Sequence, residues 1–245
     1  MKKALYVVAL ALVASSLAAP VAMAQETEIK GVKVPVPTEP GIFTITGEFV
    51  RIAYNNEGWV TLGYRLANDS QGDEWMLLEV GTTVRRPTKN QVLTRDSYSI
   101  TLPNGETVAL ATQADYTNAN SLRALNMRGN TIRDSINYFP TEARMACRIG
   151  FFSDPTQAGR TISYDQFEAS TERACLGRLF FKVPGGITTG QYWLNVKFGN
   201  STVQTPFRIM TKDEEKFLRK NWKDIKKEYE ALLKAEAEKA KAQQQ

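Results

Sequence analysis

Hydrophobic and polar residues alternate along three segments between Leu176 and Met210. A period of two places every second side chain on the same face of a β-strand. The breaks at 184–186 and 199–200 contain Gly, Pro and Asn, which favour chain reversal. The pattern therefore predicts a three-stranded antiparallel meander. Its inward residues are Leu179, Phe181, Val183, Tyr192, Leu194, Val196, Phe198, Val203, Phe207 and Ile209.

Similar alternation fills most of the chain upstream of this meander. Two runs flank an Asn- and Gly-containing turn at 55–58, and two others flank a Pro-Asn-Gly-Glu turn at 103–106. We predict strands over 43–54, 59–67, 75–84, 97–102, 107–111 and 145–152.

The period changes between 115 and 139. Asn120 and Ser121 are suited to cap a short helix, and Gly129 is suited to end it. The spacing of Ile132 and Ile136 then indicates a second helical turn. We interpret this region as a crossover between two sheets.

The G-x-Y-x-L-x-V pattern of residues 190–196 resembles the tyrosine-corner strand of immunoglobulin-like domains. In those domains a Tyr beside a corner packs inward, and its hydroxyl bonds to backbone a few residues upstream. This chain differs from antibody domains, because Leu194 stands where their second Cys would lie. The resemblance implies fold class alone, since such sandwiches serve many functions.

The predicted fold is mainly β: an immunoglobulin-like antiparallel β-sandwich with a short crossover helix and a C-terminal amphipathic α-helix. Two neighbouring sandwiches divided near Asn118 are the alternative. The long crossover favours one enlarged domain.

The C-terminal segment has a helical period. Thr211–Glu214 forms a capping-box sequence, and apolar residues then follow at alternating spacings of four and three. Ten Lys/Arg against eight Asp/Glu over 211–245 make this helix only weakly basic, which disfavours a membrane-surface role. We predict a partner-binding or intramolecularly docked helix. Its apolar seam consists of Leu218, Trp222, Ile225, Tyr229 and Leu232.

The first 24 residues have the pattern of a cleaved bacterial signal peptide: a basic start, an apolar run and a small-x-small site ending at Ala24. This pattern predicts a periplasmic or extracellular protein with no transmembrane span after signal removal. The predicted organisation is a signal peptide (1–24), an extended Pro-containing lead-in (25–41), the sandwich (42–210), and the helix with a polar tail (211–245).

Composition excludes several chemistries. The sequence contains no histidine, which removes the usual nucleophile–base systems and the commonest transition-metal ligand. Removing Lys2 and Lys3 lowers the basic residues from 31 to 29 against 26 acidic ones, too even a balance for nucleic-acid binding. The loop 68–74 offers oxygen ligands, but its residues are ordinary turn formers. We therefore predict no metal, no cofactor, no catalytic residue and no nucleic-acid partner.

Cys147 and Cys175 are the two cysteines of the chain. Each shares its strand parity with large apolar residues, so both are predicted to face the same apolar layer. Because exported proteins fold in an oxidising compartment, we expect a disulfide between them.

Three tryptophans fall on the mixed-polarity faces of predicted strands: Trp59, Trp75 and Trp193. Such aromatics need a cover or a ligand, since exposed apolar patches are uncommon. We consider three candidates: the C-terminal helix or a partner protein could cover these tryptophans, or they could bind a sugar ring as a ligand.

These observations favour an exported, non-catalytic cell-envelope module with a binding or structural role. We expect it to engage an unidentified envelope protein or glycan through the helix or the aromatic face. A carbohydrate-binding module with a tryptophan platform is one alternative. A hydrolase that uses Asp and Glu is the other.

Overall fold

The computed structural model describes residues 26–29, 32–35, 42–153 and 162–242, with side chains described from 44 to 231 outside 120 and 154–161, and at 234 and 235. The predicted signal segment 1–24 lies outside these residues. The described chain is mainly β and forms several sheets, as expected. The strands are β1 (Glu26–Ile29), β2 (Val32–Pro35), β3 (Ile42–Gly47), β4 (Val50–Tyr54), β5 (Gly58–Gly63), β6 (Trp75–Val84), β7 (Gln91–Thr94), β8 (Tyr98–Thr101), β9 (Thr107–Ala109), β10 (Met145–Arg148), β11 (Gln166–Ala169), β12 (Arg173–Lys182), β13 (Gly190–Lys197) and β14 (Thr202–Ile209). The helices are α1 (Arg65–Asn68), α2 (Gln113–Asn118), α3 (Asn120–Thr131) and α4 (Lys212–Ala242).

The larger sheet has six strands in the order β10-β12-β6-β5-β4-β3. β10 runs parallel to β12, and all the other neighbours are antiparallel. The predicted strand 75–84 is β6. The predicted strand 43–54 is instead two strands, because a turn at Glu48 and Phe49 folds β3 back on β4. The end of the predicted strand 59–67 is the short helix α1.

The second sheet has four strands in the order β14-β13-β8-β9, and β14 lies against β4 and β5 of the larger sheet. The predicted three-stranded meander is wrong, because β12 pairs with β6 and β10 in the larger sheet and only β13 and β14 pair with each other. The residues predicted to point inward from these three strands are buried, including Leu194 with no exposed surface. Two smaller antiparallel pairs, β1-β2 and β7-β11, complete the strands. The predicted lead-in thus contains the β1-β2 pair.

Tyr192 makes the contact that its tyrosine-corner pattern predicts. Its side chain is fully buried, its hydroxyl donates to the Thr188 carbonyl oxygen at 2.9 Å, and it accepts the Thr188 backbone N–H at 3.0 Å. The hydroxyl therefore ties the start of β13 to the backbone four residues upstream. The arrangement of sheets is compatible with a β-sandwich.

The crossover region differs from its prediction in three ways. Ala119, rather than Asn120 or Ser121, is at the N-cap position of α3, and no side chain caps this helix. α3 continues two residues past Gly129, and no helical turn follows at Ile132 and Ile136. Residues 132–137 form neither helix nor strand, and their side chains alternate between half-buried and exposed, which is the pattern of an extended segment. Isoleucines four residues apart fit a period of two as well as a period of 3.6, so their spacing did not separate the possibilities.

Two glycines make room for this extended segment. A Cβ atom on Gly63 would lie 2.9 Å from an Ile136 methyl group, and one on Gly81 would lie 2.6 Å from the Phe139 ring. The segment thus packs where the sheet lacks side chains.

The predicted disulfide is present. Cys147 and Cys175 are opposite each other in the parallel pair β10-β12, with Cα atoms 4.1 Å apart, so the bridge joins adjacent strands of one sheet. Cys175 is fully buried.

The predicted C-terminal helix is α4, whose 31 residues make it longer than the apolar seam alone indicates. It contacts β1, β2 and β3. Within the described residues, no helix is long and apolar enough to cross a membrane.

Removing the disulfide should destabilise the fold. Because the bridge closes a sequence separation of 28 residues, Cys147→Ala with Cys175→Ala should lower the free energy of unfolding by about 3–4 kcal/mol on the chain-entropy model. Urea denaturation followed by tryptophan fluorescence measures this loss. Wild type in reductant should match the double variant, and an unchanged wild-type midpoint in reductant would contradict the prediction.

The close packing of Phe139 and Thr61 against Gly81 should leave no room for a side chain at this position. Gly81→Ala forces the Phe139 ring and the buried Thr61 to move, and overpacking of this kind costs about 1–3 kcal/mol. Gly129→Ala is the matched control, since its new Cβ meets neighbours at an ordinary 3.4 Å and Ala favours a helix. Thermal unfolding should show a lower Tm than wild type for Gly81→Ala and an unchanged Tm for Gly129→Ala. Equal Tm values for the two variants would contradict close packing against Gly81.

Candidate functional site

The start of α4 is fixed to the body of the protein by Asn68, a fully buried side chain on α1. Its amide nitrogen donates to Glu215 Oε2 at 3.1 Å, and its amide oxygen accepts the Met210 backbone N–H at 2.8 Å. Glu215 also accepts from Arg219 at 2.6 Å. Asn68, predicted as part of a plain loop, therefore holds the helix in place.

The predicted capping box forms at the same helix end. Glu214 accepts the Thr211 backbone N–H at 2.8 Å, and Thr211 Oγ1 accepts the Glu214 N–H at 3.2 Å. Arg208 on β14 donates to Glu214 at 3.0 Å. Burial alone would raise the pKa of Glu214, but the Thr211 N–H and the Arg208 guanidinium outweigh it and hold the pKa below its ordinary value.

The apolar seam of α4 is largely occupied within the chain itself. Leu218, Ile225 and Tyr229 are buried in the hydrophobic core, and Trp222 is half-buried against it. The side chain of Leu232 lies outside the described residues. This part of the helix is therefore docked on its own chain, one of the two roles predicted for it.

The structure does not bring the three predicted tryptophans together. Trp75 and Trp193 are buried, at 5% and 7% exposure, and Trp59 is half-buried. Trp59 lies opposite Thr83 on β6. Thr83 is eight residues along this strand from Trp75, which separates the two positions by about 26 Å. Trp193 belongs to the other sheet. Strand parity predicted their faces, but it did not predict what covers them.

Trp59 instead forms an aromatic group with residues that the sequence analysis did not select. Its ring stacks on Tyr54 at a centroid distance of 4.5 Å, and the Arg85 guanidinium lies 4.5 Å from the Tyr54 centroid. Its indole N–H donates to the Tyr138 carbonyl at 2.8 Å, and the Tyr138 side chain is 39% exposed. The turn at 55–58 was the available signal, since a hairpin there places Tyr54 opposite Trp59.

A groove of about 380 Å³ is lined by sequence neighbours of this aromatic group: Arg86 follows Arg85, and Thr141 lies three residues after Tyr138. It contains two arginines, two glutamates and a methionine that is 50% exposed. We refer to the aromatic group and the groove together as the aromatic–arginine surface. It consists of Tyr54, Trp59, Arg85, Arg86, Tyr138, Thr141, Glu142, Arg144, Met145 and Glu172.

A second groove, of about 490 Å³, lies where the extended segment crosses the larger sheet. Its acidic residues face arginines: Asp134 accepts from Arg65 at 2.8 Å, and Glu79 lies 3.7 Å from Arg178. Burial raises the pKa of Glu79, with Arg178 opposing that rise. Arg178 also donates to the Gly129 carbonyl at 2.7 Å, at the end of α3. These charges fasten α3 and the extended segment to the sheet.

Among the described residues, no group of three or more His, Cys, Asp or Glu side chains is placed to hold a metal ion. Comparison of the chain with protein-family models, with curated proteins and with solved structures finds no match. The site is therefore interpreted from its own residues.

The cap at Glu214 should make stability depend on pH. Because the folded-state pKa of Glu214 lies below its ordinary value of 4.5, its contribution is complete above that pH and is lost as the pH falls through the folded-state value. Glu214→Gln should lower the free energy of unfolding at neutral pH, and the difference from wild type should shrink in acid. Urea titrations across acidic pH measure it.

Glu230→Gln, at an exposed position on the same helix, is the control and should follow the wild type throughout. A Glu214→Gln deficit that persists unchanged at the lowest pH would show that the cap does not depend on the carboxylate.

Proposed function

We propose that this protein is an exported, non-catalytic binding module of the bacterial cell envelope, with an immunoglobulin-like β-sandwich, which engages a protein partner through the aromatic–arginine surface. The observation that carries this proposal is the Tyr54–Trp59 stack with Arg85 beside it and exposed Tyr138 next to it. Tyr, Trp, Arg and Met are the residue types enriched where proteins bind each other.

Export is supported by the signal-peptide pattern of residues 1–24 and by the disulfide. Disulfides persist in oxidising compartments and are rare in the cytosol of most organisms. The Cys147–Cys175 bridge fits a periplasmic or extracellular location.

The immunoglobulin-like assignment is supported by Tyr192. A buried Tyr whose hydroxyl bonds backbone four residues upstream is the feature that gives the tyrosine corner its name. The bridge between adjacent strands differs from the inter-sheet disulfide of antibody domains.

The docked helix favours the sheet surface over α4 as the binding element. Binding a partner through Leu218, Ile225 and Tyr229 would require α4 to leave the core, and each fully buried residue contributes about 1.5–3 kcal/mol to keeping it there. The aromatic–arginine surface requires no such rearrangement.

The two alternatives have less support. A tryptophan platform for sugar would rest on Trp59 without Trp75 and Trp193, which are buried. A carboxylate-dependent hydrolase would need acids free to react, whereas Asp134 and Glu79 face arginines.

Site-specific photo-cross-linking in the producing cells tests the proposal. A benzophenone amino acid in place of Tyr138 should yield a discrete cross-linked protein, because the backbone carbonyl of this residue bonds the Trp59 indole and its side chain is exposed. The same probe in place of Met127, which is 64% exposed on α3, is the matched control and should not. Adding Arg144→Glu should abolish the product at 138, as reversal of a charge in the groove weakens complementarity.

Equal products at positions 138 and 127, or none at 138, would contradict the protein-partner reading. Quenching of wild-type tryptophan fluorescence by envelope glycan fragments, absent in Trp59→Phe, would favour the carbohydrate alternative instead.

A further inference from the structure

β10 forms one end of the six-stranded sheet in the part of the chain that the structure describes. Of its four residues, Met145, Ala146 and Arg148 are exposed, and Cys147 is half-buried. No described strand pairs with the other edge of β10. It begins at Met145, which also lines the groove of the aromatic–arginine surface.

The parallel pairing of β10 with β12 determines which backbone groups are free. Met145 donates its N–H to Glu172, and Ile149 donates to Leu176, both at 2.8 Å. Because alternate residues of a strand direct their N–H and C=O groups to opposite sides, Ala146 and Arg148 direct theirs away from β12. No backbone hydrogen bond from the described residues reaches these groups.

The free edge has a defined length. Beyond β10, the Tyr164 N–H donates to the Gly150 carbonyl at 2.7 Å, which closes that end. At the other end, the edge opens into the groove between Arg86 and Arg144. An added strand would therefore run from Gly150 to the groove.

The charged side chains along this path have a small basic excess. Three exposed arginines, Arg86, Arg144 and Arg148, stand against two exposed glutamates, Glu142 and Glu172, and the two charged residues that flank Ala146 in the chain, Arg144 and Arg148, are both basic. An incoming segment with acidic side chains complements this charge, whereas a basic segment meets repulsion.

We propose that an extended, acidic segment of the partner protein adds to the sheet along β10, hydrogen-bonding the outward groups of Ala146 and Arg148. This mode of recognition takes its affinity from main-chain hydrogen bonds and its specificity from alternate side chains. The inference rests on the proposed function and specifies how the partner binds.

The charges also argue against a second copy of this chain as the occupant. Pairing two β10 edges would bring Arg144 and Arg148 of both copies into one interface, and like charges across strands are unfavourable.

Peptide binding to the full mature protein tests this inference. The probes are two fluorescent peptides of about eight residues, one alternating Glu with Val and the other Lys with Val. Anisotropy titrations should show binding of the acidic peptide and at least about tenfold weaker binding of the basic one. Amide exchange measured by NMR should slow at Ala146 and Arg148 when the acidic peptide is bound.

Two variants isolate the edge. Ala146→Pro removes the outward N–H and spares the bonds to β12. It should weaken binding of the acidic peptide by at least about tenfold. Ala146→Val keeps that N–H and should bind like the wild type. Arg148→Glu should reverse the preference between the peptides, and it should leave folding intact because Arg148 is exposed.

Three results would overturn strand addition. They are failure of the wild type to bind the acidic peptide, equal binding of that peptide by Ala146→Pro and Ala146→Val, and exchange that slows at other amides but not at Ala146 and Arg148. A dimer in sedimentation velocity that protects Ala146 and Arg148 without peptide would assign the edge to a second copy. If any of these occurs while the Tyr138 cross-link persists, strand addition alone fails; loss of that cross-link removes the proposed function itself.

Discussion

Aromatic packing between the two sheets holds the described structure together. The Phe207 ring of β14 lies 5.4 Å from the rings of both Tyr64, which directly follows β5, and Tyr192 on β13. These two contacts join the end of a strand of the larger sheet to the smaller sheet. Buried Arg51 donates to the Tyr64 hydroxyl and to carbonyls of the β3–β4 turn. Burial raises the pKa of Tyr64, with the Arg51 charge opposing it, so the hydroxyl stays protonated within this packing.

Packing the two sheets in this way leaves each of them with an outer face. On the larger sheet, a segment of the same chain covers that outer face. Half-buried Ile132, Asp134 and Ile136 cross that face, with Asp134 held by Arg65 and Ile136 seated at Gly63. The cover reaches the Tyr138 carbonyl, which accepts the Trp59 indole N–H. The aromatic–arginine surface is thus where the covering segment leaves the sheet, and its exposure follows from how the sheet is covered.

Sequence periodicity predicted the features that depend on one strand at a time. The parity of Tyr192 and Leu194 and the paired cysteines all follow from alternation along the chain, and the structure agrees. Sequence periodicity did not predict features that depend on contacts between two elements. The face of Trp193 was identifiable, but its burial depends on neighbours distant in sequence. The surface around Trp59 likewise needs Arg85 and residue 138, which no local pattern joins to it.

The free edge of β10 and the aromatic–arginine surface are best understood as parts of one site. Ala146 and Arg148 offer about four backbone hydrogen bonds, each worth about 0.5–1.5 kcal/mol net, whereas association costs about 4–15 kcal/mol. The sum of these bonds, about 2–6 kcal/mol, lies below most of that cost, so side chains must supply the remainder. Met145 and the arginines of the groove lie at the end of that edge, where apolar contact and opposite charge add to the pairing. This energetic requirement is why the bound segment should be acidic as well as extended.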